Sequence, residues 1–291
     1  LHSAPWADPK PGAHVARAAA YLMQGQTEAG SLCPTTMTYG AIPALQKGEQ
    51  RIRDWLPTLY SREHDARDLP FAQKKGGMIG MGMTEKQGGS DVRSNTTLAR
   101  PIGNNEYLVT GHKWFFSAPM CDAHLVLAQT PNGLSCIFMP RWRPDGSKNP
   151  LQIQRLKDKL GNRSNSSSEI EFRDAWGILL GEEGRGVPTI IEMATYTRLD
   201  CCLGTSGGMR QALSQALHHA SHRSAFGARL IEQPLMRNVL ADLALETEAA
   251  TVLSLRMARA FDRLDNEAEN AFRRLVTPAA KYWICKRGPE L

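Results

Sequence analysis

The order of periodicities along the chain is what most restricts its fold. From about residue 13 to 58, apolar residues recur three and four apart, as in His14-Val15-Ala16-Arg17-Ala18-Ala19-Ala20-Tyr21-Leu22-Met23 and from Tyr39 to Leu45, which predicts helices. Between about residues 80 and 180 the signal becomes short runs at 106–109, 124–129, 135–140, 151–156 and 168–172. Turns at Gly103-Asn104-Asn105, Pro131-Asn132-Gly133 and Pro144-Asp145-Gly146 link them, so they read as strands. Helical periodicity returns from about residue 186 to 286 in three long segments, broken near Phe226-Gly227 and Asp265-Asn266, as in an antiparallel bundle. A doubly wound nucleotide-binding sheet needs strands and helices in alternation, and this chain has none. The expected class is α+β: an N-terminal helical domain (1–78), a middle β domain (79–182) and a C-terminal helical domain (183–291).

Composition excludes several function classes. No run of about 18 apolar residues is present, so no membrane span is expected. The net charge of +6 comes from bases scattered among acids, which predicts a solvated mixed surface and not a dedicated nucleic-acid face. Six cysteines, at 33, 121, 136, 201, 202 and 285, show no CxxC pairing, so reduced thiols and a cytoplasmic protein are expected. Leu1-His2-Ser3-Ala4-Pro5-Trp6 has neither an initiator Met nor a signal pattern, and the last helical pattern runs to the end at Leu291. Both ends therefore read as cut from something longer. Gly77-Met78-Ile79-Gly80-Met81-Gly82 has the wrong glycine spacing for a dinucleotide fingerprint.

Chemistry concentrates in Met83-Thr84-Glu85-Lys86-Gln87-Gly88-Gly89-Ser90-Asp91. The glycines permit positive φ and close backbone approach, while Thr84 and Ser90 offer hydroxyls to a planar heterocycle or a carbonyl. The same residue types also build ordinary turns. Gly111-His112-Lys113-Trp114-Phe115-Phe116-Ser117 sets three adjacent aromatics before a hydroxyl. It is either a core strand end with an exposed lysine or an aromatic wall against a flat cofactor. Arg223-Ser224-Ala225-Phe226-Gly227, followed by Gln233, falls at a helix break, where an Arg is either a surface residue or a fork for a pyrophosphate. His218 and His222 stand four apart on a helix with no third ligand at a plausible spacing, so no metal site is expected.

Together with Leu156-Lys157-Asp158-Lys159-Leu160-Gly161-Asn162-Arg163, these motifs make the chain resemble the acyl-CoA dehydrogenases, and within them the AidB (alkylation-response) group. The resemblance runs over nearly the whole chain and keeps the family's motif order. It implies an FAD flavoprotein that dehydrogenates the α,β-bond of an acyl-CoA. Met81, Gly82, Met83, Thr84, Gly89 and Ser90 would line the flavin, with Ser90 also near the substrate. Phe115, Phe116 and Ser117 would cover the ring, Phe115 standing where the family usually has tryptophan, and Ser117 approaching the hydride-accepting nitrogen. Arg223, Phe226 and Gln233 would reach the adenosine diphosphate half of a cofactor bound mainly by another subunit, which implies a homo-oligomer, a tetramer in most of the family.

The resemblance also implies a glutamate base, and the helix position that can carry it is Thr197 here. The family's other location for it would fall beyond Leu291. No catalytic base is therefore identified in this chain, and Glu192 and Asp200, on the same predicted helix, read as solvated acids. The alternative is an AidB-like, DNA-associated protective flavoprotein with little dehydrogenase activity, the DNA contact belonging to the full-length protein.

Overall fold

A computed structural model describes residues 1–291. The chain forms two compact units, residues 1–8 with 33–197 and residues 9–32 with 198–291. Its helices are α1 Ala4–Ala7, α2 Ala13–Gly25, α3 Leu32–Gln46, α4 Gln50–Arg53, α5 Leu56–Leu59, α6 Gly186–His222, α7 Pro234–Phe261 and α8 Glu267–Arg287. Its strands are β1 Ile79–Gly82, β2 Leu98–Gly103, β3 Glu106–Ser117, β4 Ala123–Thr130, β5 Gly133–Pro140, β6 Leu151–Leu156 and β7 Ser167–Leu180, with a small hairpin β8 Ser224–Ala225 and β9 Ala228–Arg229.

In the first unit the sheet closes on itself. Pairing runs β4–β2–β3–β7–β5 and returns from β5 to β4, while β1 flanks β4 and β6 flanks β7. Closure leaves edges only at the flanking strands β1 and β6 and gives the sheet an inside and an outside. Alternate residues of β4 and β5 serve both: Val126, Ala128, Ile137 and Met139 join Phe116 and Phe172 in one core, whereas Leu125, Leu127, Cys136 and Phe138 pack with Met37, Leu45 and Met193 from helices. That double burial is why β4 and β5 read as near-continuous apolar runs.

His124 on β4 is fully buried, its ring centroid 4.1 Å from that of Phe116. Its Nε2 lies 3.3 Å from the Ala118 carbonyl, which can only accept, so Nε2 carries the proton and Nδ1 has no partner. Burial, outweighing the Ala118 bond, lowers its pKa to about 3. Because the folded value lies below the ordinary value of about 6.5, His124 favours the fold above pH 6.5, and that contribution is lost as pH falls toward 3. His124→Phe is expected to retain more of its neutral-pH stability over that window in urea titrations; an unchanged pH profile would assign the sensitivity elsewhere.

In the second unit, α2 packs on α7, and α7 packs on α8. Asp262, just past α7, accepts the backbone N–H groups of His14 (2.8 Å) and Val15 (3.2 Å) in the first turn of α2. It satisfies donors that the helix start leaves open. Arg17 and Asp200 form an ion pair with both side chains 1% exposed.

Candidate functional site

The loop after β1 is fixed to β3 by a buried charge pair. Glu85 and Lys113 are both fully buried, with Nζ donating to Oε1 at 2.8 Å. Glu85 also accepts from Thr96 N–H (2.7 Å), Thr96 Oγ1 (2.9 Å) and Thr97 N–H (3.1 Å). Burial opposes its charge, but the Lys113 bond and these donors outweigh it and hold the carboxyl at about 2. Bonds to the loop's backbone complete the attachment: Trp114 N–H donates to the Thr84 carbonyl (2.8 Å), the Asn95 side-chain Nδ2 to the Met83 carbonyl (2.8 Å) and Lys86 N–H to the His112 ring Nε2 (3.1 Å).

This anchoring shapes the tip. Gly88 has φ +122°, and its N–H closes a turn onto the Glu85 carbonyl at 3.0 Å. A Cβ on Gly89 would sit 2.6 Å from Thr84 Oγ1, so only glycine lets the chain lie against that hydroxyl. Ser90 is exposed and Thr84 half-buried. Beside them Phe115 presents a ring that is 51% exposed, and Ser117, two residues on, is half-buried on the same side of the strand. The Ser117 hydroxyl lies 3.5 Å from that of Ser167. An exposed aromatic ring, accessible hydroxyls and a glycine backbone that a side chain would block are what a flat, heteroatom-edged ring requires, so these residues fit a flavin.

Three expectations need correction. Phe116 does not cover this face: it is fully buried against His124 and Phe172, because it alternates with Phe115 and Ser117. Gly82 is buried too, and a Cβ there would meet the Phe116 ring at 2.7 Å, so it makes room for the core and does not line the face. Lys113 is no surface lysine, since a register shift between Lys113 and Phe116 turns both inward. Met81 and Met83 are half-buried at the edge of the helix-side core.

Thr197 donates its hydroxyl to the Ala194 carbonyl at 3.1 Å and has no proton-accepting charge. Neither helix acid is simply solvated. Glu192 takes two bonds from Lys47 (2.6 and 2.8 Å), and Asp200 is buried with Arg17.

Arg223, Phe226 and Gln233 belong to the second unit. The helix break is a two-residue hairpin turn in which Phe226 (φ +53°) and Gly227 (φ +80°) are both left-handed. Phe226 is 99% exposed, and positive φ in a bulky residue is an outlier that surrounding structure must sustain. Gln233 helps by donating to the Ala225 carbonyl at 3.2 Å. Arg223 is exposed.

A cavity of about 480 Å³, walled by Trp55, Phe71, Phe138, Trp142 and Trp176, lies apart from these residues: none of them lines it.

Three consecutive stretches match known families: residues 1–66 the adaptive response protein AidB N-terminal domain, 80–175 the acyl-CoA dehydrogenase middle domain, and 184–290 the acyl-CoA dehydrogenase C-terminal domain. The chain belongs to the acyl-CoA dehydrogenase family. It is 54% identical over 290 residues to "Putative acyl-CoA dehydrogenase AidB" of Escherichia coli (strain K12), covering 99% of this chain and 54% of that protein. With acyl-CoA dehydrogenase family member 11 of Caenorhabditis elegans it shares 30% identity over 270 residues, 88% of this chain and 43% of the relative. The chain thus spans about half the length of the curated relatives it matches. The crystal structure of Caenorhabditis elegans ACDH-11 in complex with C11-CoA superposes with a TM-score of 0.89 at 28% identity, covering 99% of this chain and 51% of that one. Bd2924 in its apo form gives the same score and identity, covering 99% and 59%.

Sequence reasoning missed Glu85, Lys113 and Ser167 as parts of this site. Glu85 and Lys113 both lie inside the quoted motifs, and opposite charges in two adjoining motifs were the available signal. For Ser167 no local signal existed.

Proposed function

We propose that this chain is the flavin-facing part of an FAD-dependent acyl-CoA dehydrogenase that removes hydrogen across the α,β-bond of an acyl-CoA thioester. The observation that carries the reading is that the half-buried hydroxyls of Thr84 and Ser117 and the exposed Ser90 and Phe115 lie on a loop and a strand tied together by the Glu85–Lys113 pair. Bound FAD would supply the acceptor for hydride from the substrate β-carbon. Thr84 and Ser117 would hydrogen-bond the ring edge and fix its position, Phe115 would shield one ring face from water, and Ser90 would meet the substrate or the phosphates. Met81, Met83 and Gly89 would shape the border. Acyl-CoA as substrate is supported by the CoA complex of ACDH-11.

The α-proton must go to a base, and this chain assigns it none. Thr197 has no carboxylate, and Glu192 and Asp200 are committed to Lys47 and Arg17. The chain by itself is therefore expected to show far less turnover than the full-length protein; comparable turnover would overturn the assignment. Arg223, Phe226 and Gln233 would serve the cofactor of another copy in a homotetramer. The exposed turn residue Phe226 supports this, as do Leu235, Leu245 and Val252 on α7 and Leu275 and Tyr282 on α8, large apolar side chains open to solvent. A cytoplasmic location fits six free cysteines, and no helix is long and apolar enough to cross a membrane.

The match of residues 1–66 to the AidB N-terminal domain favours a second reading, a DNA-associated protective flavoprotein with little dehydrogenase activity. Anaerobic bleaching of the full-length protein's flavin absorbance by a panel of acyl-CoAs tests the two. No bleaching by any thioester, together with salt-sensitive duplex binding, would sink the enzyme reading. Thr84→Ala and Ser117→Ala are each expected to weaken flavin retention or shift its potential by one hydrogen bond, about 0.5–1.5 kcal/mol. Unchanged flavin content, spectrum and potential in both would show that these hydroxyls do not touch it.

A further inference from the structure

Lys159, in the loop between β6 and β7, is a half-buried cation behind Ser117 that forms no ion pair. Its ammonium donates to the Asn165 carbonyl (2.5 Å) and to Ser167 Oγ (3.1 Å), and Ser167 Oγ lies 3.5 Å from Ser117 Oγ. Both of its acceptors are neutral. Its neighbours are compensated: Lys157 bonds Glu169 at 2.7 Å, Arg155 shares that carboxylate, and Asp158 is held by Arg163 at 3.2 Å. Asn165 and Ser167 are buried, and the Cys33 thiol, from the first turn of α3, sits close enough to Ser117, Asn165 and Lys159 to feel them electrostatically. The fold has therefore gathered residues from α3, β3, the β6–β7 loop and the start of β7 behind one hydroxyl and placed a positive charge among them with no negative partner.

A half-buried charge is screened less than an exposed one, so an uncompensated ammonium favours any neighbouring group that gains negative charge. We propose that Lys159 is a positioning residue for the cofactor: through Ser167 it orients the Ser117 hydroxyl, and its charge favours the reduced form of a flavin bound against that hydroxyl. The inference rests on the flavin reading above. Reduction adds electron density to a flavin, and protein charge near the ring is one of the means by which a site sets its potential. A lysine that only stapled the loop would leave that potential unmoved.

The test uses the full-length, flavin-loaded protein, with flavin content read by absorbance and midpoint potential by dye-coupled anaerobic reduction. Lys159→Gln is expected to keep its flavin and to move the potential to a more negative value. Lys159→Arg should stay near the wild-type potential. Ser167→Ala, which keeps the charge but cuts the link to Ser117, should give a smaller shift in the same direction, and it decides the matter if Lys159→Gln fails to fold. An unchanged potential in flavin-loaded Lys159→Gln, or an equal shift in Lys159→Gln and Lys159→Arg, overturns the proposal; so does an unmoved Ser167→Ala where Lys159→Gln does not fold. A wild-type protein that holds no flavin would instead sink the underlying function.

Discussion

Lys113→Met is expected to lower the unfolding free energy by about 3–5 kcal/mol at neutral pH and to release flavin from the full-length protein. The lysine is fully buried, and its ammonium is the only cation bonded to the equally buried Glu85. Removing it strands a carboxylate whose remaining donors, from Gln87, Thr96 and Thr97, are neutral. The loop that carries Thr84 is tied to β3 at this point, so local stability and cofactor retention should fall together. A double-mutant cycle with Glu85→Gln isolates the pair: Lys113→Met with Glu85→Gln should be more stable than Lys113→Met alone. The sign with pH is also fixed. In the wild type Glu85 sits at about 2, below its ordinary value of 4.5, so its contribution is complete above pH 4.5 and is lost as pH falls toward 2. In Lys113→Met, burial raises that carboxyl, and protonation then relieves the stranded charge. The deficit against wild type should therefore shrink on acidification. A pH-independent deficit, or a double variant no more stable than Lys113→Met, would show that the pair does not carry the effect.

How far the sequence could lead is visible in particular residues. The helical–β–helical order and the breaks at Phe226-Gly227 and Asp265-Asn266 were legible because α6, α7 and α8 are long enough for turn signals to stand out between them. Two strands were not. β1 is Ile-Gly-Met-Gly, with a single β-branched residue and no alternation, and β2 contains Pro101, which argues against a strand until its weak pairing partners are known. β7 runs on to Leu180 past Arg173-Asp174, a polar pair that looks like an ending; Asp174 is left-handed (φ +54°) opposite a register shift in β3, and the strand resumes beyond it. The same shifts along β3 account for the inverted reading of the site: strict alternation would have kept Lys113 with Phe115, yet the structure buries Lys113 and Phe116. Thr84, Ser90, Phe115 and Ser117 stood out because each lies in a short motif, whereas Lys159, Ser167 and Cys33 meet only when distant segments fold together. No window of sequence contains that meeting.

In the second unit, Arg17→Met is expected to cost about 3–5 kcal/mol of unfolding free energy. The guanidinium bonds both oxygens of Asp200, Nη2 to Oδ2 at 2.7 Å, and its flat face lies 4.5 Å from the Tyr21 ring centroid. Bidentate geometry joins α2 to α6 at a point where both side chains are almost wholly out of water, so the loss is that of a desolvated charge pair and exceeds the value of a surface ion pair. Replacing both partners, Arg17→Met with Asp200→Leu, removes the stranded charge and should recover much of the loss. Urea unfolding of the two single variants, the double variant and the wild type gives the coupling directly. A double variant as unstable as Arg17→Met would mean that packing around Arg17, and not its charge, sets the cost. If the coupling is found, Asp200 serves the fold through Arg17, and the proton acceptor that the proposed dehydrogenation needs has to come from another residue.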